Sequence, residues 1–357
     1  MKRPTLYLRE RQMRLSAYAE NAQVKRRRKQ WKPPEQRFVR PGEVIFAPEK
    51  FNLTRGDGID VAKFLRAAAA RVLHQKKPVR LNLKRVKSFY VPGAILLFAE
   101  IDRLVSQSPL PKPISLVDPH LRQPREVLKQ IEIHKITGDR CDTIPKRDDV
   151  IYWRATKGTN QSGENLKLLE VVAERANREH ADQLQVGGVW RGVSEAVANT
   201  VDHAYSVPRE DGFQGLPTTK WWMFTQIRDG RFTAAVCDLG CGYRATINRT
   251  IPESFIAKMK ATFIGENPDV QAIKTAMEYG RSGTRLDHRG KGSRDALSVL
   301  ARHGNGELFI LSNSGWVQYR YANGVQTSID SAAIGIDIMG TIIWWNLPLS
   351  GDGHVRS

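Results

Sequence analysis

Two short apolar runs separated by a tight turn impose the strongest local constraint on how this chain can fold. Residues 221–227 (Trp-Trp-Met-Phe-Thr-Gln-Ile) and 232–237 (Phe-Thr-Ala-Ala-Val-Cys) are rich in the aromatic and β-branched side chains that favour strands. Between them, Asp229 and Gly230 form a dipeptide that is typical of two-residue hairpin turns, because both residues tolerate positive φ. The pattern therefore predicts a pair of antiparallel strands.

The second run ends in an acid followed by two glycines, Asp238, Gly240 and Gly242. Glycine adopts backbone conformations that other residues avoid, so this D-x-G-x-G segment predicts a tight turn directly after a strand. An aspartate at that position either caps the turn or presents a buried acceptor to a ligand.

A predicted helix upstream of the hairpin carries a polar strip. Glu195, Asn199 and His203 are each four residues apart, so they follow one strip that drifts by about 40° per step. A carboxylate and an amide one turn apart supply the oxygen ligands that Mg²⁺ prefers, with water and phosphates completing its shell. The alternative is an ordinary amphipathic helix with a solvated polar edge. The apolar face of this helix consists of Val189, Val193, Ala196, Val197, Val201 and Ala204.

A third motif lies just before a predicted helix over residues 294–300. Backbone N–H groups at the start of a helix bind anions, and glycines leave those groups accessible, while Lys291 adds positive charge. The segment therefore predicts a phosphate site. Its candidate residues are Arg289, Gly290, Lys291, Gly292 and Ser293.

In this order, the three motifs resemble those of the GHKL ATPases, which include gyrase-type topoisomerases, heat-shock chaperones, histidine kinases and mismatch-repair proteins. The segment around Glu195 is most similar to the bacterial anti-sigma-factor kinases. The resemblance covers residues 151–349. It implies a Bergerat-type α/β sandwich, with helices on one face of a mixed sheet and ATP bound between the helix layer and a lid.

The resemblance also implies roles for the matching residues at the base. Asp238 would accept a hydrogen bond from the exocyclic amine of adenine, and Thr341 would touch the adenine end. Gly240 and Gly242 would let the backbone approach the base and the ribose.

For the phosphate end, the resemblance implies that Asn199, together with Glu195, holds Mg²⁺. Glu195 would be the general base that activates water in hydrolysing members, whereas in kinase members this acid serves the acceptor hydroxyl or the metal. His203 would either contact phosphate or pack locally, and packing is favoured. Residues 279–285 are predicted to form the mobile lid over the triphosphate, with a solvated loop as the alternative.

The N-terminal half alternates between strand and helix patterns, which predicts an α/β layer with right-handed crossovers. Residues 81–86 and 93–97 resemble, more weakly, a STAS domain, the fold of anti-sigma-factor antagonists. In that family a phosphorylatable serine precedes the glycine, whereas Pro92 stands there in this chain, so we expect no phosphorylation at that position. The predicted strands cover 43–46, 79–83 and 114–117, and the predicted helices cover 59–74, 94–105 and 125–133.

The chain begins with a strongly basic segment. Residues 1–40 hold thirteen Lys or Arg and three acids, which is +10 of the formal net charge of +19. A run such as residues 25–29 (Lys-Arg-Arg-Arg-Lys) is either solvated or bound to a polyanion. We therefore expect either a soluble tail or a nucleic-acid-binding arm.

Several classes are disfavoured. The three cysteines, Cys141, Cys237 and Cys241, include no C-x-x-C pair, so they are expected to be reduced thiols rather than zinc ligands. No apolar stretch approaches the roughly 20 residues that span a bilayer, and the start contains no apolar signal core. A cytoplasmic protein without membrane contact is expected.

The predicted organisation is a basic arm (1–40), a STAS-like domain (41–137), a linker (138–162) and the GHKL domain (163–357). Within the last two regions the sequence predicts strands over 150–153, 308–311, 316–319 and 340–345, and a helix over 164–184. The expected function is magnesium-dependent ATP binding with slow hydrolysis, in which the nucleotide state switches an interaction with a protein partner or with nucleic acid. A homo-oligomer is a further expected form of the protein. The alternatives are a serine/threonine kinase acting on a separate STAS protein and an ATP-gated nucleic-acid regulator.

Overall fold

The computed structural model describes residues 43–54, 58–147, 150, 153–161, 166–179, 184–208, 219–281 and 291–349, with side chains in the last range from residue 295 onward. The predicted basic arm lies outside these residues. Gly42–Ser357 forms one compact unit. Within the described ranges, no helix is both long enough and apolar enough to cross a membrane.

The N-terminal part of this unit is a small parallel α/β layer, as the alternation of strand and helix patterns predicted. Its elements are β1 (Glu43–Phe46), β2 (Lys50–Phe51), α1 (Gly58–Ala69, continued by a π turn over Ala70–His74), β3 (Val79–Asn82), β4 (Ser88–Phe89), α2 (Val91–Gln107), β5 (Ile114–Val117), α3 (Arg122–Gln130) and α4 (Ile133–Thr137). The main sheet has the order β1-β3-β5 with both pairings parallel. The short parallel pair of β2 and β4 was not predicted.

The remainder of the unit is built on a larger sheet. Its elements are β6 (Arg154–Gly158), α5 (Lys167–Glu179), α6 (Val186–Asn199, continued by a π turn over Thr200–Ala204), β7 (Trp221–Arg228), β8 (Arg231–Asp238), α7 (Gly242–Thr250), α8 (Glu253–Thr262), α9 (Pro268–Arg281), α10 (Lys291–His303), β9 (Gly306–Ser312), β10 (Gly315–Ala322), β11 (Val325–Ala333) and β12 (Thr341–Pro348). The seven strands have the order β11-β10-β9-β12-β8-β7-β6. Every neighbouring pair is antiparallel, so the expectation of a mixed sheet is wrong.

The predicted hairpin is confirmed in this sheet as β7 and β8, between the middle strand β12 and the edge strand β6. Its turn residues Asp229 and Gly230 have φ of 52° and 65°, as a tight two-residue turn requires. Successive side chains of a strand point to opposite faces, so both faces of this hairpin are apolar because both are covered. Trp221 and Met223 join the core under the helices, whereas Trp222 and Phe224 join the core shared with the N-terminal layer.

Helix α2 lies in that shared core. All residues from Pro92 to Leu104 are buried, which is the behaviour of a helix that is packed on all sides. Pro92 occupies the first turn of α2, where a missing N–H costs nothing. The core around α2 includes side chains of the large sheet, among them Trp222 and Trp344. The division into separate domains stays a prediction, and the two parts share one layer of hydrophobic packing.

A buried acid on α2 joins the two parts. The Asp102 carboxylate is 2.7 Å from the Lys220 ammonium and also bonds Lys157 of β6. The oxygen that faces Lys220, Oδ2, also accepts a 3.0 Å hydrogen bond from Trp222 Nε1. Asp102 is 3% exposed, and the charge of its carboxylate is balanced by Lys157 of β6 and by Lys220, which directly precedes β7.

Three regions differ from their predicted structure. The strand predicted over residues 150–153 is wrong, because Val150 lies in a turn and the strand begins at Arg154, inside the predicted linker. Helices α7, α8 and α9 were not predicted. Strand β11 was also missed, although Asn323 and Gly324 form a two-residue hairpin turn before it, with φ of 52° and 77°.

Candidate functional site

Polar side chains from three neighbouring strands meet at one end of the large sheet. In the strand register, Asp238 of β8 pairs with Thr341 of β12, and Thr341 pairs with Ser312 of β9. All three are buried, with 7% or less of each residue exposed. The hydroxyls of Ser312 and Thr341 lie 3.2 Å apart. The sheet thus presents a carboxylate and two hydroxyls in one row, and Ser312 is the member that the sequence did not predict.

The turn after β8 is held by the Asp238 side chain itself. Asp238 Oδ1 accepts a 2.9 Å hydrogen bond from the Gly240 N–H, so the carboxylate does cap this turn. A Cβ at Gly240 would lie 2.1 Å from the carbonyl oxygen of Ala204. The absence of a side chain at Gly240 therefore allows this turn to pack on the π turn after α6. The sequence had instead predicted that this glycine lets the backbone approach a nucleotide.

The second glycine of the motif has a similar structural reason. Gly242 has φ of +73°, and a Cβ there would lie 2.6 Å from Asn313 Nδ2. Asn313 donates a 3.2 Å hydrogen bond to the Cys241 carbonyl and accepts a 3.3 Å hydrogen bond from the Gly340 N–H. One asparagine thus connects the turn after β8 to the start of β12.

The polar strip of α6 is opposite this strand end. The helix is regular through Asn199 and widens into a π turn over Thr200–Ala204, which carries His203. Glu195, Asn199 and His203 all line the same cavity. Because His203 is exposed, the expectation that it packs locally is not supported.

The electrostatic environment of Glu195 is acidic. Burial raises the pKa of its carboxyl above the ordinary value, and the nearby carboxylates of Asp295 and Asp202 raise it further. A carboxylate in such a place is a better proton acceptor at neutral pH than one in water, and the site attracts cations.

Helix α7 supplies a third wall that sequence reasoning missed. Tyr243, Thr246, Ile247 and Thr250 follow steps of three and four residues, which puts them on one helix face, and all line the cavity. That spacing was the available signal. Burial, with a smaller effect of Asp238, raises the pKa of the Tyr243 phenol, so this group stays neutral. The Tyr243 backbone N–H donates to Ser312 Oγ at 3.0 Å.

The walls enclose a cavity of about 490 Å³, within the usual range for pockets that hold small molecules. Its lining includes six of the predicted site residues: Glu195, Asn199, His203, Asp238, Gly242 and Thr341. Tyr279 and Gly280, at the start of the predicted lid, also line it and belong to the last turn of α9. Other described residues of the lining include Ala198, Thr200, Asp202, Ser206, Arg249, Ala276 and Ile343.

The predicted phosphate segment is only partly described. Arg289 and Gly290 lie outside the described residues, as does the lid beyond Arg281. Lys291, Gly292 and Ser293 form the first turn of α10, so a helix does begin at this glycine-rich segment.

The cavity combines a buried acceptor on the sheet side with oxygen ligands on the helix side. A ligand that fills it would meet the carboxylate of Asp238 and the hydroxyl of Thr341 at one wall, and the side-chain oxygens of Glu195 and Asn199 at another. Comparison of the chain with protein-family models and with curated proteins gave no match.

Proposed function

We propose that this protein binds ATP in the cavity between the strand end and helix α6, and that it hydrolyses the nucleotide slowly. The observation that carries the proposal is the position of Asp238. It is a buried acceptor at the end of an inner strand, and it lines a cavity large enough for a nucleotide, opposite the polar strip of α6.

The base end would be recognised by Asp238 and Thr341. The exocyclic amine of adenine is a donor. A carboxylate offers several acceptor positions, so Asp238 can accept from this amine while Oδ1 keeps its hydrogen bond from the Gly240 N–H. Guanine presents a carbonyl at that position, so it would leave Asp238 facing another acceptor. We therefore expect preference for ATP over GTP.

The residues on α6 fit a magnesium ion. Asn199 and Glu195 offer oxygen ligands one helical turn apart in the same cavity, and Asp202 and Asp295 add negative charge near Glu195. When bound, Mg²⁺ would neutralise phosphate charge. The chain's own contribution would be to hold the phosphate end with Asn199 and to accept a proton from water at Glu195.

The decisive experiment is calorimetric titration with ATP and GTP, with and without Mg²⁺, on the parent and on Asp238→Asn. The variant keeps a side-chain oxygen to accept from the Gly240 N–H, so the turn is expected to persist while adenine meets an amide. A buried mismatch of this kind costs about 1–3 kcal/mol or more, so ATP affinity should fall by about 5- to 150-fold or more.

Asp269→Asn is the matched control. Asp269 is also buried, and its carboxylate accepts from the Ser314 backbone N–H at 3.2 Å, but it does not line the cavity. This variant should keep ATP affinity when its folding is verified by circular dichroism. Undiminished ATP affinity in folded Asp238→Asn would refute the assignment.

The kinase alternative is decided by following the γ-phosphate of labelled ATP. Release of inorganic phosphate without an acceptor supports hydrolysis. Transfer of label to a serine-bearing STAS protein, with little free phosphate, would replace the hydrolase proposal by the kinase alternative while leaving the nucleotide site in place.

A further inference from the structure

A second cluster of ligand-type side chains lies in the N-terminal layer, outside the candidate nucleotide site. Asp118 directly follows β5, His134 belongs to α4, and Cys141 lies in the segment after α4. One potential metal-ligand atom of each lies within 4.8 Å of the others. His134 Nε2 is 2.8 Å from Asp118 Oδ1. None of the three residues lines the cavity described above.

The histidine ring in this cluster has an unused nitrogen. His134 is 5% exposed, and its Nδ1 has no hydrogen-bond partner among the described residues. The other ring nitrogen, Nε2, faces Asp118. Because the two ring nitrogens point away from each other, an ion shared with Asp118 would bind Nε2, and Nδ1 would carry the ring proton.

The backbone that carries the three side chains is held by other contacts. Asp139 Oδ2 accepts hydrogen bonds from the Leu116 N–H at 2.8 Å and from Thr137 Oγ1 at 2.9 Å. Lys129 Nζ donates to the Cys141 carbonyl at 3.1 Å. The segment after α4 is thus fixed to β5 and α3 without use of the three ligand side chains, so these remain available in a preorganised arrangement.

We propose that Asp118, His134 and Cys141 bind one zinc ion. A thiolate, an imidazole and a carboxylate are the ligand types of Zn²⁺, whereas Mg²⁺ and Ca²⁺ take oxygen ligands. Metal–ligand distances of about 2.0–2.3 Å place tetrahedral ligands roughly 3.3–3.8 Å apart. Binding would therefore open the 2.8 Å distance between His134 and Asp118 slightly, while ligand atoms as far apart as 4.8 Å would close by about 1 Å. Water fills the fourth position. The ion links the segment around Cys141 to the end of β5.

The test uses the full chain, freed of metal by a chelator and titrated with Zn²⁺ against a chromophoric competitor. We expect one zinc ion per chain and a higher Tm in its presence, because a ligand that binds only the folded state stabilises it. Replacement by Co²⁺ should give a thiolate-to-cobalt charge-transfer band in the near ultraviolet.

Cys141→Ser should abolish this band and weaken zinc binding at least tenfold. Cys241→Ser is the matched control and should keep both, because that thiol lies outside the cluster. Were Cys141→Ser unable to fold, Asp118→Asn would decide by the same zinc titration, since this side chain is 31% exposed. A parent protein without a saturable zinc site, or an unchanged cobalt band in Cys141→Ser, would overturn the proposal.

Discussion

At the scale of single residues, the side chains that line the cavity are placed at some cost to the fold. Glu195 is the clearest case. Burial raises the pKa of its carboxyl, and the nearby carboxylates of Asp295 and Asp202 raise it further. At neutral pH, ionisation of this carboxyl is therefore less favourable in the folded than in the unfolded protein, which lowers the free energy of unfolding. Residues that destabilise the fold are common at functional sites, because selection for activity retains them there despite their cost in stability.

This environment predicts opposite effects of Glu195→Gln on activity and on stability. Loss of a general base commonly slows a reaction by about 10²–10⁴-fold, so phosphate release should fall by that order while ATP still binds. A raised pKa in the folded state means that stability falls as pH rises through the window between the ordinary and the raised pKa. At pH 7.5 the variant should therefore unfold at a higher temperature than the parent.

Measuring the Tm of the parent and of Glu195→Gln at a second, lower pH provides a control for the stability effect. Near pH 4, where the parent carboxyl is largely protonated in both states, the difference in Tm should vanish. Thermal unfolding at both pH values and a phosphate-release assay are sufficient. Turnover at the parent rate would show that Glu195 is not the base, whatever the Tm.

At the scale of elements, the site depends on a close contact between a strand end and a helix end. The turn after β8 packs on the π turn after α6 because residue 240 has no side chain. Asn313 holds the same turn from the other side through its hydrogen bonds to Cys241 and Gly340. The cavity wall with Asp238 and the wall with Glu195 and Asn199 are therefore positioned relative to each other by these contacts.

Gly240→Ala tests this junction. The new methyl group would meet the Ala204 backbone at 2.1 Å, and backbone cannot yield as a flexible side chain does. Forcing extra atoms into packed structure typically costs about 1–3 kcal/mol, so urea unfolding should show a loss of that size. We also expect weaker ATP binding, because the two walls move apart.

Gly187→Ala is the matched control, since it makes the same substitution on α6 where a new Cβ has no atom within 4 Å. It should be neutral, or stabilising by at most about 1 kcal/mol through its helix propensity. A Gly240→Ala protein as stable as the parent would show that the junction is loose.

At the scale of the whole molecule, the N-terminal layer and the large sheet are joined by a shared core and a buried ion cluster. Burial opposes the ionisation of Asp102, but the ammonium groups of Lys220 and Lys157 outweigh it, and its pKa lies below the ordinary value. The charge thus stabilises the junction between the two parts. Because the hydrophobic packing is continuous across that junction, we expect the described part of the chain to unfold cooperatively.

Asp102→Asn should lower the free energy of unfolding by about 3 kcal/mol at pH 7. The substitution removes the negative charge that pairs with Lys157 and Lys220 where the N-terminal layer meets the large sheet. A depressed pKa gives stability that is present above the ordinary aspartate pKa, about 3.9, and is lost as pH falls through the folded-state pKa. The difference between parent and variant should therefore be constant above about pH 5 and narrow below about pH 4.

The control is Asp330→Asn, the same substitution in an ion pair with Arg320 whose side chains are 44% and 47% exposed. Exposed pairs contribute about 0–1 kcal/mol, so little change in urea unfolding is expected. Equal losses in the two variants, or a loss in Asp102→Asn that does not depend on pH, would contradict the assigned role of Asp102.

The sequence by itself determined the local elements and much of the candidate site. The Asp229-Gly230 hairpin, the α6 strip and the acid at the end of β8 follow from periodicity and turn chemistry, which act over a few residues. The contacts between residues that are distant in the sequence were decided only by the tertiary structure. The reason for Gly240 is the Ala204 backbone, and Ser312 reaches the site through strand pairing. Asp118, His134 and Cys141 meet only after folding, since no short spacing relates them. Burial of the sheet face that carries Trp222 and Phe224 likewise depends on α2, which lies more than a hundred residues away along the chain from β7.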